Sequence, residues 1–346
     1  MRPEIGTDVT GDESRAGYSR VPPVLERIVD TVLEAEVQSL RRPRAGSVAD
    51  TAVLELAADA DSPVPDRVVC KRGGASVWTG DVIEPFVCER VAAATELPVP
   101  EVLARGSLAG TDQDGEPERW ALYEHLEGES PDQGDLEPAV RHQFVANAGR
   151  LLGRLHATPQ ESFGLETTTA TDVDVGGIAR ASGGGLTVCA PDGWHAMDSG
   201  GALEALCSRV SVPLAGDVDC LAVLTHGDYQ PSNLLVDDTG TITGVLDWGN
   251  AHITHAAYAL ARAECRFVDL EWSAGRLKRG ERARLRQQFR EGYARKGPLD
   301  VTDEMGRQLR WYKGLWLAQS LANYAHVARS TRGREQLWRQ CRRLLE

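Results

Sequence analysis

The stretch at 224–248, LTHGDYQPSNLLVDDTGTITGVLDW, constrains this chain more than any other, because it sets three polar side chains at fixed intervals between apolar runs. Asp228 follows His226-Gly227, Asn233 lies five residues further on, and Asp247 closes the segment. The runs at 234–236 and 242–246 flank Asp237-Asp238-Thr239-Gly240, a turn signal, so the pattern predicts a loop, a short hairpin and a strand end. Any one of these residues alone is explained by turn chemistry: Asp228 suits an Asx turn, and Pro231-Ser232-Asn233 a plain turn. Their conjunction selects a chemistry. A carboxylate next to two hard-oxygen ligands is what phosphoryl transfer asks of a protein, which must hold phosphates, neutralise their charge and set an acceptor oxygen in line.

Such a site also needs a cation for the phosphates. Lys71 ends the β-branched run at 68–71 and is the one lysine in the first 277 residues. Helical spacing of Val82, Ile83, Phe86, Val87, Val91 and Ala94 predicts a helix over 81–96, and this helix carries Glu84 and Glu89. A strand-borne Lys followed by a helix-borne Glu fits the ion pair that orients a phosphate-binding lysine; Glu84 is the preferred partner and Glu89 the alternative. Upstream, 44–56 reads as two short strands around a polar turn placed to cover the phosphates, with Gly46 its single glycine. The chain has no G-x-G-x-x-G and no G-x-x-x-x-G-K-[ST], which removes the main support for dinucleotide-fold and P-loop readings.

The remaining pattern is α+β in two lobes. Residues 1–20 are polar and aperiodic and read as a disordered tail. A helix is predicted over 24–40, and Pro98 and Pro100 end the helix that carries Glu84. Strands at 102–104 and 119–124 follow, and 124–128 hands the N-terminal nucleotide-binding lobe (21–125) over to a larger helical C-terminal lobe (126–346). At that crossing, the backbone of Glu124 and Leu126 would meet a nucleotide base. Helices are predicted from 136 to His156, itself read as a core histidine, and over 203–210, 251–272, 278–296, 303–328 and 335–345, with Trp311 on a core-facing stripe of the long one. The irregular 158–201 is expected near an acceptor pocket.

Composition narrows the partners. The formal charge is -13, from 51 acidic and 38 basic residues, so a nucleic-acid backbone would be repelled. The charge is uneven, with 18 Lys/Arg against 7 Asp/Glu from Arg276 to Glu346. No run of about 18 apolar residues suggests a membrane span, and the N-terminus has no basic-then-apolar leader, so a cytoplasmic protein is expected. Seven scattered cysteines, none in C-x-x-C, point to reduced, mostly buried thiols rather than a disulfide framework or zinc site. The sequence leaves the oligomeric state open.

At these residues the chain resembles the aminoglycoside phosphotransferase (phosphotransferase enzyme) family, relatives of choline and fructosamine kinases within the protein-kinase-like fold. His226-Gly227-Asp228 through Asn233 is similar to the family's H-G-D-x-x-x-x-N loop, and Leu246-Asp247-Trp248 to its I-D-W motif, which stands where protein kinases carry D-F-G. LPVP at 97–100, YEHLEG at 123–128 and LGRLH at 152–156 also resemble family landmarks. The resemblance implies ATP (or GTP) with Mg²⁺ and transfer of the γ-phosphoryl group to a hydroxyl of a small molecule. Asp228 would be the catalytic carboxylate, Asn233 and Asp247 the metal ligands, and Lys71, Glu84, Glu124 and Leu126 the nucleotide contacts. It does not imply an antibiotic acceptor, and the basic C-terminal segment predicts that polycationic aminoglycosides are poor ones unless acids within 158–219 line the pocket. One departure stands out: an Asp usual in a D-L-A segment, where it supports the catalytic loop, is here Ala259, with Asn250 or His255 as candidate substitutes. That departure and the thin glycine loop motivate an alternative, a nucleotide-binding regulator without turnover. Protein kinase activity is disfavoured because 250–261 leaves no long activation segment.

Overall fold

Proline sets the starts of three helices. α1 (Pro23–Leu33), α2 (Glu84–Ala94) and α3 (Pro138–Ala157) each carry one in the first turn, where its fixed φ suits a helix and its missing N–H costs no hydrogen bond. The computed structural model describes residues 21–43, 50–57, 64–73, 83–111, 117–131, 136–165, 221–273, 275, 277–278, 280–322 and 339, with the backbone of four short strands between 174 and 215. The helix expected over 24–40 is shorter than its apolar spacing suggested. Glu34 turns into the left-handed region at φ 52° and ends α1. The β-branched Val37 then pairs with Leu56 as the first residue of a strand.

That strand, β1 (Val37–Arg41), joins β2 (Asp50–Leu56), β3 (Arg67–Gly73), β4 (Val102–Thr111) and β5 (Pro117–Glu124) in one antiparallel sheet of order β1-β2-β3-β5-β4. The turn expected to cover phosphates, with Gly46, lies outside the described residues. Alternation along β3 divides the sheet's two faces. Val68 and Cys70 join Leu54, Leu122 and the α1 stripe of Leu25, Ile28 and Val29 in one core, while Val69, Ala121 and Tyr123 pack against the larger core with α2's Cys88 and Val91. Lys71 shares the face of Val69 by the two-residue period, and so looks toward α2.

Short strands β6 (Asp174–Val175), β7 (Ala179–Ser182), β8 (Gly185–Val188) and β9 (Leu214–Ala215) pair into a small sheet; the rest of 166–220, including the helix expected at 203–210, lies outside the described residues. Next come β10 (Ala222–Thr225), the hairpin β11 (Leu234–Val236) and β12 (Ile242–Val245), and β13 (His252–His255), which pairs antiparallel with β10. The expectation of continuous helix over 251–272 is corrected here. Ile253 and Thr254 extend as β13 beside Leu224 and Val223, and helix begins only at α4 (Ala256–Glu264). It passes through a π-helical turn at Cys265–Asp269 into a further helical turn at Leu270–Ser273. α5 (Glu281–Ala294) and α6 (Asp303–Ala322) complete the described helices, and the helix expected at 335–345 lies outside them apart from Arg339.

α3 and α5 pack face to face through glycines. A Cβ at Gly149 would fall 2.1 Å from the Phe289 carbonyl oxygen, and one at Gly292 would fall 2.2 Å from that of Ala146, so the two backbones could not come this close with larger residues. Phe144, Ala148, Leu151, Leu152 and Leu155 of α3 and Leu285, Phe289 and Tyr293 of α5 fill the larger core. His156 is buried there between the Tyr293 hydroxyl (3.0 Å) and Thr225 Oγ1 (3.4 Å), a core histidine as expected.

The π turn has a further structural effect. In a 3.6-residue helix, positions five apart lie about 140° from each other, but i→i+5 geometry brings them to one side. Glu264 and Asp269 are five apart, both fully buried, and they are bridged by Arg286 (2.9 and 2.5 Å) and by Lys313 of α6. Arg290 and Arg282 complete the cluster at 2.6 and 2.7 Å. Burial alone would raise both carboxyls, but Lys313 and the arginines outweigh it and hold them below the ordinary carboxylate range. The basic surplus of the C-terminal segment is thus turned partly inward. Among the described residues, no helix is long and apolar enough to cross a membrane, and Cys70, Cys88 and Cys265 are free and buried.

Candidate active site

The loop after β10 is built from a glycine outward. Gly227 has φ 78°, and a Cβ on it would fall 1.7 Å from the Asn250 carbonyl oxygen, so only glycine lets the loop press against the 3₁₀ turn at Trp248–Asn250. His226 is fully buried and neutral, since burial lowers its pKa. Its Nε2–H donates to the Leu246 carbonyl at 2.8 Å and its Nδ1 accepts from the Asp228 amide at 3.2 Å, which fixes one tautomer. The histidine therefore ties the Asp228 backbone to the strand end that presents Asp247. Tyr229 anchors the other side of the loop by donating to the Ala148 carbonyl of α3 at 2.9 Å.

Asp228 and Asn233 are brought together. Asn233 Nδ2 donates to the Asp228 carbonyl (2.9 Å) and to its Oδ2 (3.2 Å), so the amide nitrogen is occupied and the Asn233 oxygen remains a hard-oxygen donor. Gln230 donates to the same Oδ2 at 2.7 Å. On the other oxygen, Oδ1 receives Arg266 Nη2 at 2.9 Å and Arg262 Nη2 at 3.5 Å. Burial would raise Asp228, but Arg266 and Arg262 outweigh it and hold the carboxyl below its usual range. The two arginines were not singled out by the sequence reading. Their signal was there, as two cations four residues apart in the apolar run AAYALARAECRF, which places them on one helix face.

Asp247 sits in the left-handed region at φ 65°, one of two non-glycine residues with positive φ among those described. Its carboxylate is half exposed, and its Oδ1 lies 3.6 Å from Lys71 Nζ. Lys71 meets the buried Glu84 at 2.7 and 2.8 Å. Burial would lower the lysine pKa, but Glu84 and Asp247 more than reverse this and keep it charged. Glu84 also accepts from the Trp248 amide at 3.3 Å, so one carboxylate links the lysine of β3 to the backbone beside Asp247. Glu89 instead pairs with Arg105, which leaves the 84 position as the lysine's partner.

Glu124 and Leu126 lie at the crossing after β5. The Glu124 amide donates to the Glu101 carbonyl at 2.9 Å, and Leu126 packs near Gly244 of the hairpin. Neither lines the cavity of about 300 Å³ between α2 and the sheet, whose walls include Lys71, Glu84, Phe86, Arg105, Trp120 and Tyr123. Residues expected to carry acceptor contacts within 158–219 fall mostly outside the described ones.

At Ala259, a void of about 10 Å³, room for a single water, is bounded by Thr225, Gly227, Thr254 and Arg262. Thr254 Oγ1 is buried there without a hydrogen-bond partner. Neither expected substitute supplies a carboxylate: Asn250 meets the loop through its backbone carbonyl, and the His255 Nδ1 lies 2.9 Å from the Tyr312 hydroxyl. Among the described residues, no cluster of three or more His, Cys, Asp or Glu could hold a metal by itself. The donor set of Asp247 and the Asn233 oxygen suits a hard divalent ion that takes its remaining ligands from phosphates and water.

Comparison with known proteins fits this geometry. A model of the phosphotransferase enzyme family matches residues 40–312. No curated protein sequence matches the chain. Among solved structures, the apoenzyme of a macrolide 2'-phosphotransferase from Brachybacterium faecium superposes with TM-score 0.55 at 17% identity, over 92% of this chain and 98% of that one. An amicoumacin kinase in complex with AMP-PNP, Ca²⁺ and amicoumacin gives 0.59 at 12% identity over 93% and 92%. A wild-type aminoglycoside 2'-phosphotransferase with GDP gives 0.58 at 14% over 93% and 98%. At these identities the likeness is one of fold, the two-lobed kinase-like arrangement.

Proposed function

The chain belongs to the phosphotransferase enzyme family, and on that premise we propose that it transfers the γ-phosphoryl group of ATP or GTP, with Mg²⁺, to a hydroxyl of a small molecule in the cytoplasm. The observation that carries this reading is the Glu84 carboxylate, which reaches Lys71 Nζ and the Trp248 amide and so joins the sheet lobe to the strand end bearing Asp247. AMP-PNP and GDP in the fold relatives support a nucleotide as donor.

In this reading Lys71, steadied by Glu84, holds the α- and β-phosphates, and the backbone at Glu124 and Leu126 meets the base where the two lobes join. Asn233 and Asp247 hold the metal, which when bound neutralises charge on the transferring group. Asp228 orients the acceptor hydroxyl and takes its proton as oxygen attacks phosphorus and the bond to the β-phosphate oxygen breaks. All four acceptor directions of Asp228 are occupied by Arg266, Arg262, Gln230 and Asn233, so the hydroxyl must displace one of them. The contact from Arg262 is the longest and the first to yield.

Ala259, which brings no carboxylate to the space beside Thr225, Gly227 and Thr254, favours a second reading, a nucleotide-binding relative with weak turnover. One experiment separates the two. Purified protein with Mg²⁺, labelled nucleotide and a panel of hydroxyl compounds should release nucleoside diphosphate in step with a phosphorylated acceptor. Nucleotide that binds and keeps its γ-phosphate against every acceptor favours the weak-turnover reading.

A further inference from the structure

The side of Asp228 away from Asn233 is unusually rich in cations. Arg262 and Arg266 both aim Nη2 at the single oxygen Oδ1, two guanidinium charges on one carboxylate. Their side chains are 24% and 20% exposed and Asp228 19%, so each of the three keeps part of its surface in solvent. The Nε–H of each arginine is buried with no acceptor, which leaves the pair short of hydrogen-bond partners as well as of negative charge. Arg266 is further held in place by Gln230 and by the Trp316 ring, 5.3 Å from its guanidinium carbon. Held this way, it keeps its fork when Arg262 moves.

Resting on the phosphotransferase reading above, we propose that Arg262 and Arg266 form an anion-recognising subsite, and that the acceptor carries a carboxylate or phosphate close to the hydroxyl that is phosphorylated. A planar guanidinium binds such oxyanions in pairs of charge-assisted hydrogen bonds. The anion supplies the negative charge that the two arginines lack. In taking Arg262 from its long contact, it also frees an Asp228 lone pair for the acceptor hydroxyl. Recognition and activation are thus coupled through one side chain, and a neutral or cationic acceptor gains neither.

The test has two arms. First, a small-molecule cell extract is split on an anion exchanger at neutral pH, and each fraction is assayed for label transfer from γ-labelled ATP. The labelled product should arise from the retained fraction; phosphatase treatment of that fraction beforehand abolishes it for a phosphate-bearing acceptor and spares it for a carboxylate. A product that arises only from the unretained fraction overturns the proposal. With the retained acceptor, Arg266→Gln should raise the acceptor KM roughly 10- to 100-fold and leave the nucleotide KM unchanged. A fall in kcat with unaltered acceptor KM would make the arginine a support for Asp228 only, and would also overturn it.

The second arm needs no turnover. Protein labelled with ¹⁵N-arginine and loaded with ADP and Mg²⁺ is titrated with inorganic phosphate and, separately, with acetate. Saturable shifts of two Nε–H signals, assigned by their loss in Arg262→Gln and Arg266→Gln, are expected. Signals that do not move overturn the subsite even where phosphoryl transfer is intact. Absence of transfer from any fraction, with these shifts present, counts instead against the kinase reading.

Discussion

Two carboxylate clusters share one stretch of helix and differ in what they leave open. On one side, Glu264 and Asp269 are fully buried and ringed by Lys313, Arg282, Arg286 and Arg290. On the other, Asp228 faces Arg262 and Arg266 with about a fifth of each side chain in solvent. Each has two cations for every carboxylate, so the charge ratio does not separate them. Access does. A buried carboxylate ringed by cations holds helices together, and its own oxygens are closed to a ligand even where Arg286 and Arg290 reach the surface. A partly exposed carboxylate with one loose partner can exchange that partner for another group. The π turn at Cys265–Asp269 separates the two roles, because it turns Asp269 back to the side of Glu264 while Arg262 and Arg266 stay on the loop-facing side.

Substitutions should split along the same line, with activity lost on one side and stability on the other. The largest effect is expected for Asp228→Asn, which keeps the shape of the side chain and should lower kcat by about 10²- to 10⁴-fold with a smaller drop in melting temperature than Asp269→Asn. If its melting temperature falls as far as that of Asp269→Asn, the two clusters are not distinct in role. Asp269→Asn should do the reverse. Lys313 and Arg286 keep Glu264 but each loses a second charged partner, which costs about 1–3 kcal/mol of stability, measurable by urea unfolding, with kcat of the folded fraction near wild type.

Lys71→Met tests the lobe that neither cluster touches. Losing a charge-assisted contact to phosphate should reduce kcat/KM for nucleotide by roughly 10- to 100-fold and spare the acceptor KM. An acceptor KM that moves as far as the nucleotide KM would break the assignment of Lys71 to the nucleotide.

The smallest effect is in pH dependence. Glu264 and Asp269 have folded-state pKa values below their unfolded ones, so each contributes stability above the unfolded carboxylate range, near 4. That stability is lost as pH falls through the depressed folded values. Asp269→Asn should therefore flatten the loss of stability below about pH 4 in acid-unfolding curves. A variant whose curve keeps the wild-type slope would place the acid sensitivity elsewhere.

Much of the fold was legible because it rests on local signals. Apolar residues at helical spacing found α1, α2 and α3, Pro98 and Pro100 marked a helix end, and the β-branched run at 68–71 a strand. The reading failed where one pattern served two structures. Val37 fits a helical stripe as well as a strand, and 252–255 joined an apolar run that continued into true helix, so both β1 and β13 were taken for helix. Pairing across the chain, with Leu56 and with β10, decided them. Trp248 was legible as a motif residue, but the use of its amide as a partner for Glu84, 164 residues upstream, was not.

By itself, then, the sequence determined the kind of chemistry: the intervals from Asp228 to Asn233 and Asp247, with Lys71 and Glu84 upstream, are properties of order along the chain. Tertiary structure alone decided which groups surround Asp228. The positions of Arg262 and Arg266 against its Oδ1, and the confinement of Glu264 and Asp269 to the opposite side, depend on one extra residue in a helical turn and on the packing of α5 and α6. Side-chain direction around a π turn follows from hydrogen-bond register, which propensity does not encode.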